Sequence, residues 1–273
     1  MGTVTFGEAI AVRSDGDGRF TVSVPPSWTA GDLAPGGLVA AQLLAVGTAL
    51  VDDPALPPRS FTTQFLRAVC RGSYEVEAEV LRRGRSTANV GFRAVQDGAV
   101  VATAHGVFAG PRSGPEFAEI AMPDVAPPTP GRPTEGYVPP FARPYADNVV
   151  IQERLGPPAL SGSAGPMEKA GWVGFAAAHP LDAAGLAMMA DVGMMPWWGR
   201  LEEPYGTAAL ECTVQFRGHP PDGDPGDLVL MHSRTGLVHD GYLDWDSWMW
   251  SDDGTLLCQA RQLLVVVGAV PSE

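Results

Sequence analysis

Two stretches of the chain are nearly apolar all round. One reads Gly37-Leu-Val-Ala-Ala-Gln-Leu-Leu-Ala-Val-Gly-Thr-Ala-Leu50, the other Pro180-Leu-Asp-Ala-Ala-Gly-Leu-Ala-Met-Met-Ala-Asp-Val-Gly193. A helix with no polar stripe has no face to offer water, so both are predicted as buried helices. Elsewhere the period is two. Tyr74–Val80 alternates strictly between apolar and acidic residues, the mark of a strand with one wet face. Val90–Gln96, Val100–Phe108, Asp227–Ser233, Tyr242–Trp250 and Leu256–Val267 also read as strands. Between Pro111 and Pro144 lie ten prolines. Proline fixes φ and removes a hydrogen-bond donor, so this segment is expected as an extended connector. The expected division is 1–110, a linker at 111–146, and 147–273.

The flanks of this connector resemble one another. Thr62-Thr63-Gln64-Phe65 is matched by Thr213-Val214-Gln215-Phe216, an offset of 151. Downstream, Gln96-Asp97-Gly98-Ala99-Val100 is matched by Asp252-Asp253-Gly254-Thr255-Leu256, an offset of 156. The two offsets agree if the second half carries five extra residues, expected within 219–227. Each Asp-Gly pair predicts a tight hairpin, because glycine accepts positive φ. Each half is then a strand, a buried helix and a run of antiparallel strands, an α+β arrangement.

At 273 residues the chain can bury a core without staples. Its net charge of −13, with Lys169 the sole lysine, argues against nucleic-acid binding, which needs a basic field. Cys70, Cys212 and Cys258 are scattered, forming neither a disulfide framework nor a metal-ligand cluster, and no cofactor is expected. No signal peptide is read at the N-terminus, and no apolar run reaches the ~18 residues of a membrane span. A cytoplasmic protein is expected. A GxSxG elbow and phosphate-binding glycine loops are absent from the sequence.

Two residues stand out chemically. On the last predicted strand the even positions are Leu256, Cys258, Ala260, Gln262, Leu264 and Val266, so Gln262 is the one polar side chain on that face. The equivalent position in the first half is Gly106 (262 − 156). Asp191 is an acid within the most apolar stretch of the chain, and the first helix has no counterpart. Packing alone does not call for that asymmetry. A carboxylate near an amide can orient a water as general base, although a helix cap and a core amide are the plainer alternatives. Gly36 and Gly37 open the first helix, where backbone N–H groups and the helix dipole could polarise a substrate carbonyl. Arg83 and Arg85, in the run Arg82-Arg83-Gly84-Arg85, could meet phosphates; a solvated hairpin end is the plainer reading.

The ordered set Phe65-Leu66-Arg67, Leu81–Ser86, Ala190–Pro196, Thr213–Arg217 and Gly254–Gln262 resembles the acyl-CoA thioesterase II family, whose chains are double hotdogs. That resemblance implies two helix-wrapping antiparallel sheets in one chain. It implies hydrolysis of an acyl-CoA by a water held by an Asp, a Gln and a Thr, without an acyl-enzyme, and it implies a homodimer. The family Asp falls on Asp191 and the family Gln on Gln262. The family Thr falls on Ala209, a departure, and Thr207 and Thr213 flank it as candidates for the hydroxyl. A non-catalytic acyl-CoA binder and, more weakly, an enoyl-CoA hydratase on the same fold are the alternatives.

Overall fold

The computed structural model describes residues 4–218 and 228–270. In chain order the elements are α1 (Phe6–Ala9), β1 (Arg13–Gly16), β2 (Arg19–Val24), α2 (Gly36–Val51), β3 (Pro58–Phe65), β4 (Gly72–Arg83), β5 (Thr87–Gln96) and β6 (Ala99–Ala109). The second half follows as β7 (Val149–Leu155), β8 (Glu168–Phe175), α3 (Ala183–Met189), β9 (Tyr205–Phe216), β10 (Val229–Arg234), β11 (Val238–His239), β12 (Tyr242–Trp250) and β13 (Leu256–Ala269).

The strands form one antiparallel sheet in the order β1-β2-β4-β5-β6-β3-β9-β13-β12-β10-β8-β7, with the short β11 pairing β12. Read outward from its centre, each half has the same topology. The two halves meet where β3 pairs antiparallel with β9, and Thr62 stands opposite Thr213 with the two hydroxyls 2.9 Å apart. These two residues are related by the offset of 151 seen in the sequence, so they mark a pseudo-twofold axis. The offset of 156 recurs too: Gly106 stands opposite Phe61, as Gln262 stands opposite Cys212.

Both predicted helices are buried, and they pack on each other inside the curve of the sheet. The largest core cluster is continuous across the two halves. The second helix is shorter than the predicted 180–193. Asp182 sets its start by accepting a bond from the Gly185 N–H (2.8 Å), and after Met189 the chain leaves the helix in a series of turns. The Asp97-Gly98 pair forms the expected two-residue hairpin, with φ of 50° and 76°. Asp253-Gly254 does not: it lies in a five-residue loop, 251–255, where the Asp253 carboxylate accepts from the Thr255 N–H (2.9 Å) and only Gly254 has positive φ. The site predicted for the five extra residues, 219–227, lies outside the described residues, as does Asp227.

The proline-rich segment is not a free tether. The Gln152 amide accepts from the Thr129 N–H and donates to the Thr129 and Pro133 carbonyls, and the Trp172 indole donates to the Ala126 carbonyl. The segment thus lies strapped along the second half. It then crosses to the first, where the Tyr145 N–H donates to the Thr29 carbonyl (3.0 Å). No helix is long and apolar enough to cross a membrane among the described residues.

Candidate functional site

Asp191 stands in the turns just after α3, and the fold sets it against the first turn of α2. The cap position of α2 is Pro35, which offers no side-chain acceptor, so the helix begins with unsatisfied N–H groups. Asp191 fills the vacancy from the other half of the chain: its Oδ2 accepts from the Gly37 N–H at 2.8 Å. Glycine is required for this approach. A Cβ on Gly37 would lie 2.6 Å from the Met188 carbonyl oxygen and 2.8 Å from the Asp191 Cβ. Burial pushes the Asp191 carboxyl up from 3.8 to about 6, although bonds from the Gly37, Gln262 and Gly36 groups oppose it. Taking a carboxylate out of water costs more than these bonds return.

Gln262 lies on β13, 2% exposed. Its Nε2 donates to the carbonyl of Ala190, the residue before Asp191, at 3.0 Å. Its Oε1 is buried and has no partner among the described residues. The other buried glutamines differ. Gln42 donates to the Ala9 and Ser23 carbonyls and accepts from the Tyr74 hydroxyl. Gln96 is bonded at both ends to the Cys70 backbone, and Gln152 is engaged at both ends as described above. An unpaired buried acceptor costs ~1–3 kcal/mol, and Gln262 bears that cost beside Asp191.

Sequence parity placed Thr213 on the face of Ala209. A β-bulge at Leu210 overturns this: Leu263 pairs with Glu211, whereas Leu264 pairs with Ala209. The extra residue reverses the alternation. Thr213 therefore joins Glu211 and Gln215 along a trough of about 490 Å³ on the opposite face of the sheet, and bonds Thr62. The bulge brings Cys212 inward instead, directly opposite Gln262 and 5% exposed. Burial and the Asp191 charge push its thiol up, so it stays protonated. Thr207 does face inward, opposite Val266, and its hydroxyl donates to the Met195 sulfur at 3.6 Å. Ala209 lies between, opposite Leu264.

The remaining candidates divide. Gly36 and Gly37 sit at the site, but the Gly37 N–H addresses the Asp191 carboxylate rather than open space. Arg83 is drawn to the far end of α2, where it donates to the Val51 carbonyl (2.8 Å) and pairs with Asp53 (3.3 Å). At ~1.5 Å per residue, Val51 is roughly 20 Å from Gly37. Arg85 is exposed on the same hairpin, so the structure does not bring this pair to Asp191. Tyr145, from the proline-rich segment, was not anticipated; its hydroxyl is pushed up by burial and by the Asp191 charge. Cys212 was legible as the offset partner of Phe61, whereas nothing in the local sequence marks Tyr145. No group of three or more His, Cys, Asp or Glu side chains suited to a metal exists among the described residues.

Residues 24–109 match the model of the acyl-CoA thioesterase N-terminal domain, and residues 121–266 match that of the acyl-CoA thioesterase C-terminal domain. Among solved structures, a hot dog protein of unknown function from Alicyclobacillus acidocaldarius is similar at 27% identity and a TM-score of 0.84, covering 97% of this chain and 98% of that one. A putative thioesterase II from Thermobifida fusca shares 23% identity with a TM-score of 0.79, covering 97% and 98%. The acyl-CoA thioesterase II TesB2 from Mycobacterium marinum shares 19% identity with a TM-score of 0.74, covering 98% and 99%. At the lower identities the likeness shows the fold alone. No match was found among curated proteins.

Proposed function

This chain belongs to the acyl-CoA thioesterase family of double-hotdog proteins, and from that premise we propose that it hydrolyses an acyl-CoA to the free acid and CoA with Asp191 and Gln262 holding the reacting water. The observation that carries the reading is the orphaned Gln262 Oε1 next to a buried carboxylate. Both are acceptors, and one water satisfies both by donating a hydrogen to each. A water held so presents a lone pair outward. Asp191 takes one proton as the oxygen attacks the thioester carbonyl, the C–S bond breaks in the collapse of the tetrahedral adduct, and the CoA sulfur leaves with that proton. The other hydrogen remains with the acid product. No covalent acyl-enzyme is needed. A carboxyl ionising near pH 6 suits a general base, which works best with a pKa close to ambient pH.

Ala209 favours a second reading. A methyl group stands where the family resemblance calls for a hydroxyl, and a site without turnover would make the protein an acyl-CoA binder. A free-thiol assay over a panel of acyl chain lengths separates the two. Thiol release lost in Asp191→Asn and Gln262→Ala supports hydrolysis. Tight acyl-CoA binding without thiol release, unchanged in both variants, supports the binder and overturns the hydrolytic reading.

A further inference from the structure

The consecutive arginines of the β4–β5 hairpin are partly spent on α2, but the fold gathers a second set from distant segments. Arg200, Arg234 and Arg261 line one cavity of about 460 Å³ in the second half, together with Met167, Thr235 and Trp248. Three acids share its rim, and each is engaged locally. Asp244 accepts from the Gly236 and Leu237 N–H groups (3.0 and 2.8 Å), Asp246 pairs with Arg261 (3.1 Å), and Glu168 bonds His232 (2.7 Å). Neither Arg200 nor Arg234 forms a close ion pair or side-chain hydrogen bond among the described residues. Arg234 stands opposite Asp246 and feels its charge at longer range, so both guanidinium forks keep donors free in a chain of net charge −13. Thr235 is 5% exposed and its hydroxyl has no partner among the described residues. The half-buried Trp248 ring stands on the His232 ring, centroids 5.6 Å apart, and lines the same space.

Guanidinium groups with free forks select phosphate, a buried hydroxyl without a partner calls for a polar ligand atom, and an indole offers a face to a planar base. We infer that this cavity binds a phosphorylated nucleoside, its phosphates between Arg200 and Arg234 and its base against Trp248. The site is distinct from the Asp191 centre: the Asp244, Asp246 and Arg261 side chains alternate outward on strands whose inward positions include Trp245 and Gln262. The same chemistry is carried by the nucleotide end of CoA and by a free nucleotide.

Calorimetric titration of the full chain with ADP, 3′,5′-ADP and adenosine at fixed ionic strength tests the assignment. Binding of the two phosphorylated probes, at least tenfold weaker for adenosine and at least tenfold weaker in the Arg200→Gln/Arg234→Gln double variant, is expected. Arg13→Gln/Arg19→Gln, which removes the same charge from the far end of the sheet, should bind like the parent. No binding of ADP or 3′,5′-ADP to the parent, or equal loss in both double variants, overturns the proposal. Asp191→Asn should bind as the parent does, so failure here and failure of the hydrolytic reading are told apart. With acyl-CoA against acyl-pantetheine as substrates, a KM raised by Arg200→Gln/Arg234→Gln only for acyl-CoA identifies the CoA nucleotide as the occupant. An unchanged KM beside lost ADP binding identifies a free nucleotide. Both outcomes uphold the site.

Discussion

At Asp191 two roles meet in one carboxylate. It caps α2 across the pseudo-twofold, and it is the base of the proposed reaction. Asparagine keeps a cap acceptor but cannot take a proton, so Asp191→Asn should fold and lose at least a hundredfold in thiol release. The parent's log rate should rise with pH to a plateau above about 6, as the carboxyl ionises. Stability should run the other way. Because the folded carboxyl sits above its ordinary 3.8, the native state holds the proton more tightly than the unfolded chain. Stability is therefore lost as pH rises from near 4 to about 6, and denaturant titrations should show Asp191→Asn gaining on the parent across that window. Gln262 provides an independent check. Gln262→Leu removes the unpaired Oε1 but also takes the donor from the Ala190 carbonyl, so it should cost about 1–3 kcal/mol of unfolding free energy while activity collapses. A stability loss with activity retained would instead mark the amide as ordinary core.

At the level of elements, the site is made by the ends of two helices that enter from opposite halves. The N-terminus of α2 carries positive partial charge, and it is aimed at a carboxylate from the turn after α3. Gly37 allows the approach. Gly37→Ala should cost about 1–3 kcal/mol, because the added methyl meets the Met188 backbone rather than a yielding side chain, and it should lower activity by displacing Asp191. Differential scanning calorimetry beside the thiol assay reads both. The bulge at Leu210 has a comparable effect on β9: one unpaired residue sends Cys212 inward and Thr213 outward. Thr213→Val should therefore leave turnover within about twofold, since that hydroxyl serves the Thr62 bond on the outer face.

Over the whole molecule, the duplicated halves are not independent bodies. They share one sheet through β3 and β9, one core cluster, and a proline-rich strap that touches both. An isolated second half would expose an edge strand and the apolar face of α3, and Asp191 would lose its Gly37 partner. Residues 147–273 expressed alone should show no cooperative thermal transition, whereas the full chain should unfold in one. Two separated transitions in the full chain would contradict this. Duplication also let the two copies diverge. At one of two equivalent places Phe61 and Gly106 are packed with aromatic rings, and at the other stand Cys212 and Gln262.

The linear pattern alone determined the two buried helices, the strand-rich remainder, the repeat with its 151 offset, and Asp191 and Gln262 as misfits on apolar faces. Those signals are local: periodicity, turn chemistry, and a polar residue where its neighbours are apolar. Tertiary structure decided what depends on long-range register and approach. One bulged residue reverses side-chain parity without any mark in composition, which is why Thr213 and Cys212 exchange places. Tyr145 reaches the site from a segment with no periodicity to read. Arg200, Arg234 and Arg261 converge only when three separate segments pack side by side, whereas the consecutive Arg82-Arg83 pair, visible at once, is carried to the far end of α2.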